Sequence, residues 1–458
     1  MSNTIEDKFL PIKELNSEAY DILIHDKLEF GTLTRFKKVI KQLLRRYKVG
    51  GLKAVFNKLS PEQIITRINT PSNKKKILYL TITPSFNLLR QSIYIRKNEN
   101  YETILLMESP WLLKLMEKHF DAVYIYDTYY ELAKILEEVK PDTIHVLGTI
   151  LGSDFFIILA KLFGKTKIVF EFYDIPSFSF GKNDNIPSWG KKNVVLELFA
   201  EQYACENSDG IILGYSYEAA NVLREKYGTK SKILEFHSYV CSEFVSNKNN
   251  VKFSKIDRKI HLVYGGSVTT VNLPQEVYGY HFHDLIREIT KQGICFDVYV
   301  SPHTSAVKFE KIFSDYLDIA RHNALFKFFK GLSPTEAPAE FSKYDFGVIA
   351  YLFNYKNYTD ISNKTRIPGK FFLFLEAGLP IIISEEFEYT SKLVREHEIG
   401  IVVSQNDIYN LSKIIPTYNY EKLRNNVINA RKALSMENHI NRLIGFYEEI
   451  KLRTGDFI

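Results

Sequence analysis

Three cationic side chains lie close together around a proline in the second half of the chain. They are Lys364, Arg366 and Lys370. Lys370 stands two residues after Pro368 and opens a run with helical spacing. Fixed cations and a helix N-terminus stabilise the charge that grows on a leaving diphosphate, without a metal ion. The spacing therefore predicts a phosphate-binding loop with Lys370 as its main ligand, and a solvated loop is the alternative for the other two cations.

A pair of glycines follows an apolar run and supplies a second phosphate-binding candidate. The run KIHLVY leads directly into Gly265, Gly266 and Ser267. A turn without β-carbons at its tightest point lets backbone N–H groups approach a diphosphate. The alternative is an ordinary turn.

Acid–base chemistry is predicted in the first half of the chain. Asp174 follows the run KIVFEF, and an acid at the carboxyl end of a strand can take a proton from a hydroxyl group. The alternative is that Asp174 caps the next turn. Arg90, at the start of a predicted helix, and His145, expected to end a strand, are candidates to contact the molecule that carries the hydroxyl. An ordinary capping motif is the alternative near Arg90.

The elements that must position these residues alternate between β-rich and helical segments. From Lys76 onward, seven short β-rich runs are each followed by a longer run with helical spacing, and six more follow a polar linker near residue 250. This alternation is typical of parallel sheets covered by helices on both faces. It predicts an α/β protein with two Rossmann-like, doubly wound domains that face a cleft.

The predicted boundaries divide the chain into four parts. Residues 1–75 form a helical, basic extension, residues 76–245 the first Rossmann-like domain, residues 255–416 the second, and residues 417–458 two C-terminal helices. The segment IPGKFFLFLEAGLPIIIS carries the most specific local signal. It predicts a helix that ends at Ala377, a turn at Gly378, and a buried strand after Pro380.

Composition describes a globular protein of 458 residues with 45% hydrophobic and 25% charged residues. Its three cysteines have no metal-site spacing, which predicts reduced, structural thiols. The first residues carry acid and no apolar run, and the sequence contains no apolar stretch of about 18 residues. We therefore expect a cytoplasmic protein. Because the cations around Pro368 can stabilise a leaving diphosphate, we also expect that no metal or cofactor is required.

The net charge of +6 is concentrated in one segment. Residues 31–60 hold nine Lys or Arg side chains and no acid, and apolar residues recur there at helical spacing. An amphipathic helix with a cationic face can lie on an anionic lipid surface. Residues 32–59 are thus a candidate membrane contact at the inner face of the plasma membrane. Docking of the helix on the protein body is the alternative, and nucleic acid is not an expected partner.

The helix–Gly–x–Pro–strand segment resembles the nucleotide-binding part of GT-B bacterial glycosyltransferases, of the group 1 or family 4 type. The stretch FKGLSPTEAPAEFSKYDFGVIAY, ahead of the cationic loop, adds to this resemblance, which covers roughly residues 76–455. It implies a nucleotide-sugar donor bound by the second domain and a glycan or lipid-linked acceptor bound by the first. It further implies that the helices of residues 417–458 brace back to the first domain, and that the protein has a role in capsule, O-antigen or other surface polysaccharide synthesis.

The resemblance also implies roles for single residues. The donor site would include the glycine turn, the three cations and the end of the helix at Gly378, with Asp174 as catalytic base. Leu373 and Thr365 stand where many family members have a glutamate, and Glu376, one turn after Leu373, is the candidate for the donor ribose.

Two other functions remain open at this stage. One is another sugar-nucleotide enzyme of the same fold, such as an epimerase, which would act on the sugar ring with cleft acids and histidines. The other is a catalytically inactive binding subunit, which the absent glutamates would fit.

Overall fold

A computed structural model describes residues 6–28, 39–45, 47, 59–149, 154–180, 190–246, 250–271, 282–301, 306–353 and 360–452. The chain divides into two compact units. Unit 1 comprises residues 1–237 and 440–458, and unit 2 comprises residues 238–439. The sequence placed the corresponding domain boundaries near residues 245 and 417.

Unit 1 is built on a parallel sheet of seven strands. They are β1 (Lys75–Thr81), β2 (Tyr101–Met107), β3 (Ala122–Ile125), β4 (Thr143–Gly148), β5 (Lys167–Phe172), β6 (Gly210–Leu213) and β7 (Lys232–Glu235). Their order in the sheet is β3-β2-β1-β4-β5-β6-β7. The strands read as nearly continuous apolar runs because helices cover both faces of a parallel sheet.

The helices of unit 1 connect these strands and flank them. They are Leu10–Leu15, Ser17–Asp21, Pro61–Asn69, Phe86–Ile95, Leu113–His119, Tyr129–Glu138, Phe156–Phe163, Pro176–Phe180, Lys191–Asn207 and Tyr217–Tyr227, with Met436–Leu452 entering at residue 440. The last helix packs on the sheet: a β-carbon at Gly210 would lie 2.2 Å from Ile450 Cδ1.

The N-terminal residues pack against unit 1. Phe9 has no exposed surface, and its ring lies 5.6 Å from that of Phe163. Residues 39–45 are helical, whereas most of the basic segment 32–59 lies outside the described residues. None of the helices in the described part of the chain combines the length and the apolar character needed to span a bilayer.

Unit 2 repeats the architecture with six parallel strands. They are β8 (His261–Gly266), β9 (Cys295–Val300), β10 (Phe326–Phe329), β11 (Phe346–Ile349), β12 (Ile381–Ser384) and β13 (Gly400–Val403), in the order β10-β9-β8-β11-β12-β13. The helices are Ser254–Asp257, His283–Thr290, Ala306–Ile312, Ser314–His322, Ala337–Phe341, Asp360–Thr365, Lys370–Ala377, Glu388–Glu396, Leu411–Ile414 and Tyr420–Ala433. All thirteen predicted strands form, and the prediction of two doubly wound α/β domains is confirmed.

The helix that begins at Lys370 ends where the sequence predicts. Gly378 takes the left-handed conformation with φ of 75° and closes the helix, and β12 begins three residues later. Arg431 donates to the last carbonyl groups of the helix, those of Leu375 and Glu376. The left-handed turn at Gly378 therefore ends the helix, and the Arg431 side chain supplies hydrogen bonds to carbonyl groups at its C-terminus.

Close packing between β11 and this helix depends on Gly347. A β-carbon at Gly347 would lie 2.3 Å from the ring of Phe374, so Gly347→Ala forces the helix away from the sheet. We expect Gly347→Ala to lower the free energy of unfolding by about 1–3 kcal/mol, as overpacked cores do. Denaturant unfolding checks this. Gly214→Ala, where a β-carbon meets nothing within 4 Å, is the control and should stay within about 0.5 kcal/mol of the parent.

Candidate functional site

The strand order of both sheets places a switch point between their central strands. Chain connections leave in opposite directions from β1 and β4 in unit 1, and from β8 and β11 in unit 2. In open parallel sheets of this kind, ligands bind beyond the carboxyl ends of the strands at the switch point. Each unit therefore has one edge at which functional side chains are expected.

Lys370 lies at this edge of unit 2. Its ammonium Nζ donates a hydrogen bond to the Tyr351 hydroxyl at 2.8 Å, and Tyr351 comes two residues after β11. The same Nζ lies 4.8 Å from the centre of the Tyr264 ring and 5.6 Å from that of the Tyr351 ring. Two aromatic faces thus hold the cation by cation–π attraction, one from β8 and one from the segment just after β11.

The glycine turn approaches the same lysine. Gly266 ends β8 with φ of 152°, and a β-carbon at this position would lie 3.2 Å from Lys370 Cε. Glycine adopts this φ readily, whereas other residues do so only with strain. The structure therefore brings together two predicted donor-site elements, Gly266 and Lys370, that are about a hundred residues apart in sequence. Ser267 is exposed, and its carbonyl accepts a hydrogen bond from the Tyr264 hydroxyl at 2.8 Å.

Burial controls the protonation of Lys370. Desolvation, with the nearby charge of Arg366 as a smaller cause, lowers the pKa of Lys370 to about 7. A desolvated ammonium close to a second cation gains most from an added anion, because the anion removes both penalties. The electrostatics of this edge therefore suit a phosphate group.

The other two predicted cations lie in the segment that leads to this helix. Arg366 is partly exposed, and its backbone carbonyl accepts a hydrogen bond from the Thr390 hydroxyl at 2.8 Å. Lys364 Nζ lies 3.6 Å from the carboxylate of Glu388, and 41% of its side chain is exposed. Lys364 thus has an acidic neighbour, whereas Arg366 acts electrostatically on Lys370.

Glu376 and Gly378 lie at the opposite end of the Lys370–Ala377 helix. An eight-residue helix is about 12 Å long, so these residues are not grouped with Lys370. Glu376 has no exposed surface, and its carboxylate accepts the backbone N–H of Cys241 at 2.9 Å. In this structure Glu376 tethers the segment that follows β7, and a contact with a ribose stays a prediction.

In unit 1, Asp174 lies at the carboxyl edge of the sheet, two residues after β5, and is partly exposed. Buried carboxyl groups lie close by. A β-carbon at Gly148, the last residue of β4, would lie 2.3 Å from Asp154 Oδ1, and Glu197 pairs with Asp154 from the helix Lys191–Asn207. Acidic groups are therefore concentrated at the ends of two adjacent strands.

Burial determines which of these acids carries a proton. Desolvation, together with the nearby carboxylate of Glu197, raises the pKa of Asp154 well above its ordinary value. Desolvation also raises the pKa of Glu197, to about 7. Both acids therefore hold their protons to a higher pH than an exposed carboxyl group does. Sequence reasoning missed this pair, because the two residues are distant in sequence and neither has a distinctive motif.

The structure corrects the expected position of His145. The residue lies in the middle of β4, not at its end, and has no exposed surface. Its Nε2 lies 2.9 Å from the carboxylate of Glu171, and its Nδ1 lies 2.7 Å from the hydroxyl of Tyr447. The ring therefore joins β4, β5 and the C-terminal helix inside unit 1, and a contact of His145 with an acceptor stays a prediction.

Arg90 is also buried, with 4% of its surface exposed. Its Nη1 donates to the carbonyl of Phe86 at 3.4 Å, within its own helix. The neighbouring side chain of Gln91 donates to Glu171 at 2.8 Å. The helix that carries Arg90 thus presents polar groups to the interior of unit 1, and a contact of Arg90 with an acceptor stays a prediction.

Sequence and structure comparisons give related proteins. Residues 302–445 match the family model described as glucosyltransferase 3-like, C-terminal domain. No curated protein matches the chain by sequence. Among solved structures, Alr3699/HepE of Anabaena in complex with UDP-glucose is similar at 12% identity and a TM-score of 0.56, covering 81% of this chain and 99% of that one.

Two further solved structures are similar to this chain over most of its length. Anabaena HepE with UDP and glucose has 13% identity and a TM-score of 0.57, covering 82% of this chain and 99% of that one. Sucrose-phosphate synthase from Thermosynechococcus elongatus has 10% identity and a TM-score of 0.55, covering 83% of this chain and 100% of that one. At these identities the similarity establishes the fold, which is GT-B.

The fold is that of GT-B glycosyltransferases, and residues 302–445 match a glucosyltransferase family model, so both comparisons favour the same class of enzyme. The matched residues fall mostly in unit 2, which ends at residue 439. The predicted resemblance to GT-B glycosyltransferases is thereby confirmed.

Two residues of the unit 2 site were missed from the sequence. Tyr264 and Tyr351 enclose Lys370, yet each resembles the many other aromatic residues of this chain, which has 29 tyrosines. The available signal was position, since Tyr264 stands next to the glycine pair and Tyr351 directly follows the DFGVIA strand.

The lowered pKa of Lys370 predicts a pH-dependent stability. In the unfolded chain a lysine has a pKa of about 10.4, so between about pH 7 and pH 10 the unfolded state binds more protons than the folded state. The free energy of unfolding of the parent, relative to Lys370→Met, should therefore rise across this window, by at most about 1.4 kcal/mol per pH unit. Below pH 7 the difference should be constant.

Urea unfolding at pH 6.5, 8 and 9.5 measures this difference. Lys422→Met, which removes an ammonium that is 60% exposed, is the matched control and should follow the parent at every pH. Parallel stability curves for the parent and Lys370→Met would show that the ammonium is not desolvated.

Proposed function

We propose that this glycosyltransferase moves a glucosyl residue from UDP-glucose to a hydroxyl group of a glycan acceptor during the synthesis of a surface polysaccharide. The observation that carries this proposal is the position of Lys370 at the switch point of unit 2. The glucosyltransferase 3-like match of residues 302–445 supports a glucosyl donor. The UDP-glucose complex of the similar HepE structure supports the nucleotide.

The donor half of the reaction follows from the cationic edge of unit 2. The bond between the anomeric carbon and the diphosphate oxygen breaks, and negative charge grows on that oxygen. Lys370 and Arg366 stabilise this charge, assisted by the N-terminus of the Lys370–Ala377 helix. Backbone N–H groups at Gly266 approach the diphosphate because no side chain stands in the way. We propose that transfer needs no metal ion, because these protein cations supply the required positive charge.

The acceptor half follows from the carboxyl edge of unit 1. The acceptor oxygen forms the new bond to the anomeric carbon, and its proton passes to the carboxylate of Asp174. Asp174 is suited to this role because it is partly exposed, whereas Asp154 and Glu197 are buried.

The helical residues 39–45 support a lipid-linked acceptor. They bury a polar side chain, Gln42, which donates to Glu108 at 2.8 Å just after β2. They expose apolar ones: Ile40 and Leu44 are 42% and 57% exposed, and the nearby helical residue Tyr47 is 55% exposed. Apolar residues on an exposed face that also carries Lys41 and Arg45 suit an anionic lipid surface. We propose that this face, within the basic segment 32–59, holds the enzyme at the cytoplasmic side of the membrane that carries its acceptor.

A transfer assay separates the two halves of the proposed site. UDP release from UDP-glucose should require an acceptor extract from the source cells. Asp174→Asn should lower the transfer rate by about 100-fold or more, as loss of a general base does, while UDP still raises the melting temperature. Lys370→Met should abolish that thermal shift. Glu225→Gln, an exposed acid of unit 1, is the control and should transfer normally.

Each contrary result has a specific meaning. Release of UDP that does not depend on acceptor would favour an epimerase-like or hydrolytic reaction. Absence of any thermal shift with UDP, GDP, CMP or dTDP sugars would favour a binding subunit. Unchanged transfer in Asp174→Asn would remove this residue from the mechanism.

The membrane contact is tested by sedimentation with vesicles. The parent should bind vesicles that contain 30% phosphatidylglycerol and not pure phosphatidylcholine vesicles, with binding lost at high salt. Ile40→Ser combined with Leu44→Ser should reduce binding about tenfold, since burial of each side chain contributes one to several kcal/mol at most. The control is Leu10→Ser with Leu15→Ser, which removes two other exposed leucines of unit 1. Equal binding by both double variants would exclude this face.

A further inference from the structure

A second group of chemically active side chains lies in unit 2, away from Lys370. His261 and Cys295 are the first residues of β8 and β9, and they are direct partners in the parallel pairing of these strands. Side chains at paired positions of neighbouring strands project from the same face. The pair therefore stands at the amino edge of the sheet, whereas the candidate donor site stands at the carboxyl edge.

Asp257 completes the group. It ends the short helix Ser254–Asp257, and Arg258 takes a left-handed conformation with φ of 63° that turns the chain back toward β8. Both carboxylate oxygens of Asp257 lie 3.0 Å from His261 Nε2. Ligand atoms of Asp257, His261 and Cys295 all lie within 4.8 Å of one another. Within the described part of the chain, no other three His, Cys, Asp or Glu residues meet this closely.

The three donor atoms match a metal site in type and spacing. Zinc is commonly held by imidazole nitrogen, thiolate sulfur and carboxylate oxygen, with water as a fourth ligand. With zinc–ligand bonds of about 2.0–2.3 Å, the ligand atoms of a tetrahedral site lie roughly 3.4–3.7 Å apart. The nitrogen–oxygen separation of 3.0 Å is somewhat shorter than this value, and the ligand atoms of all three residues lie within 4.8 Å of one another, so metal binding requires some side-chain rotation.

The surroundings of the three residues carry charges of both signs, with Lys259 and Lys327 close to Cys295, and the position is open to solvent on one side. Cys295 is buried, whereas 12% of the His261 side chain and 38% of the Asp257 side chain are exposed. Asp345 accepts the backbone N–H of His261 at 2.8 Å and holds the start of β8 in place. The buried Asp297 stands two residues after Cys295 on the same face of β9 and adds a further acidic group.

We propose that Asp257, His261 and Cys295 bind one divalent transition-metal ion of the zinc type at the amino edge of the unit 2 sheet. The Cys295 thiol releases its proton to solvent as the metal–sulfur bond forms, and no electron transfer is involved. The ion joins the loop before β8 to β8 and β9, so it stabilises the unit without entering the transfer reaction. The alternative is that Asp257 and His261 form an ion pair without a metal.

Cobalt(II) is the probe for this site, because thiolate coordination to cobalt gives a charge-transfer absorption in the near ultraviolet. The full chain is stripped with a chelator and titrated with Co²⁺. We expect the band to saturate at one equivalent, to disappear when Zn²⁺ is added, and to be accompanied by a rise in melting temperature. Because the band is read in the parent protein, the test does not depend on the folding of a variant.

Three variants test which residues bind the ion. Cys295→Ser should abolish the charge-transfer band. Asp257→Asn retains the thiol and should weaken Co²⁺ binding by about tenfold or more, given that even outer-shell partners contribute 10–100-fold. Cys205→Ser, at a buried thiol of unit 1, is the matched control and should retain the band.

Two results would overturn the proposal. One is the absence of a thiolate band when the parent holds one equivalent of Co²⁺, which would leave the Asp257–His261 ion pair as the explanation of the geometry. The other is an unchanged band in Cys295→Ser. Neither result bears on UDP binding, so this inference fails or stands separately from the proposed function.

Discussion

The enclosure of the Lys370 ammonium between two tyrosine rings is the interaction on which the candidate site depends. A cation removed from water and placed near Arg366 is costly until an anion arrives, as the lowered pKa of Lys370 shows. Cation–π attraction to the two tyrosine rings, which stand at the ends of the central strands, offsets part of this cost. The edge thus carries a fixed positive charge, on which the proposed phosphate site depends.

Three glycines on the same two strands make this arrangement possible. A β-carbon would meet Phe341 at Gly265, Lys370 at Gly266 and Phe374 at Gly347. Each glycine lets an aromatic ring or the lysine stem lie directly against a strand. The helix that carries Lys370 can therefore sit close to β8 and β11. The position of the cation is a consequence of backbone packing as much as of its own contacts.

The functional edges of the protein differ in charge. The carboxyl edge of unit 2 is cationic at Lys370 and Arg366, which suits a diphosphate. The corresponding edge of unit 1 is acidic at Asp154, Asp174 and Glu197, which suits proton transfer from a hydroxyl group. At the opposite edge of unit 2, Asp257, His261 and Cys295 form the proposed metal site. The proposed donor site and the proposed stabilising metal site therefore lie at opposite ends of the unit 2 sheet.

The sequence by itself determined the thirteen strands, the two α/β units, and the helix from Lys370 to Gly378. These features depend on local periodicity, on glycine conformation and on proline, all of which are readable within a few residues. Tertiary structure decided which side chains are exposed and which of them meet. His145 and Glu376 are buried, Tyr264 and Tyr351 enclose Lys370, and His261 meets Cys295. These outcomes depend on strand register and on contacts between distant segments, which no local pattern encodes.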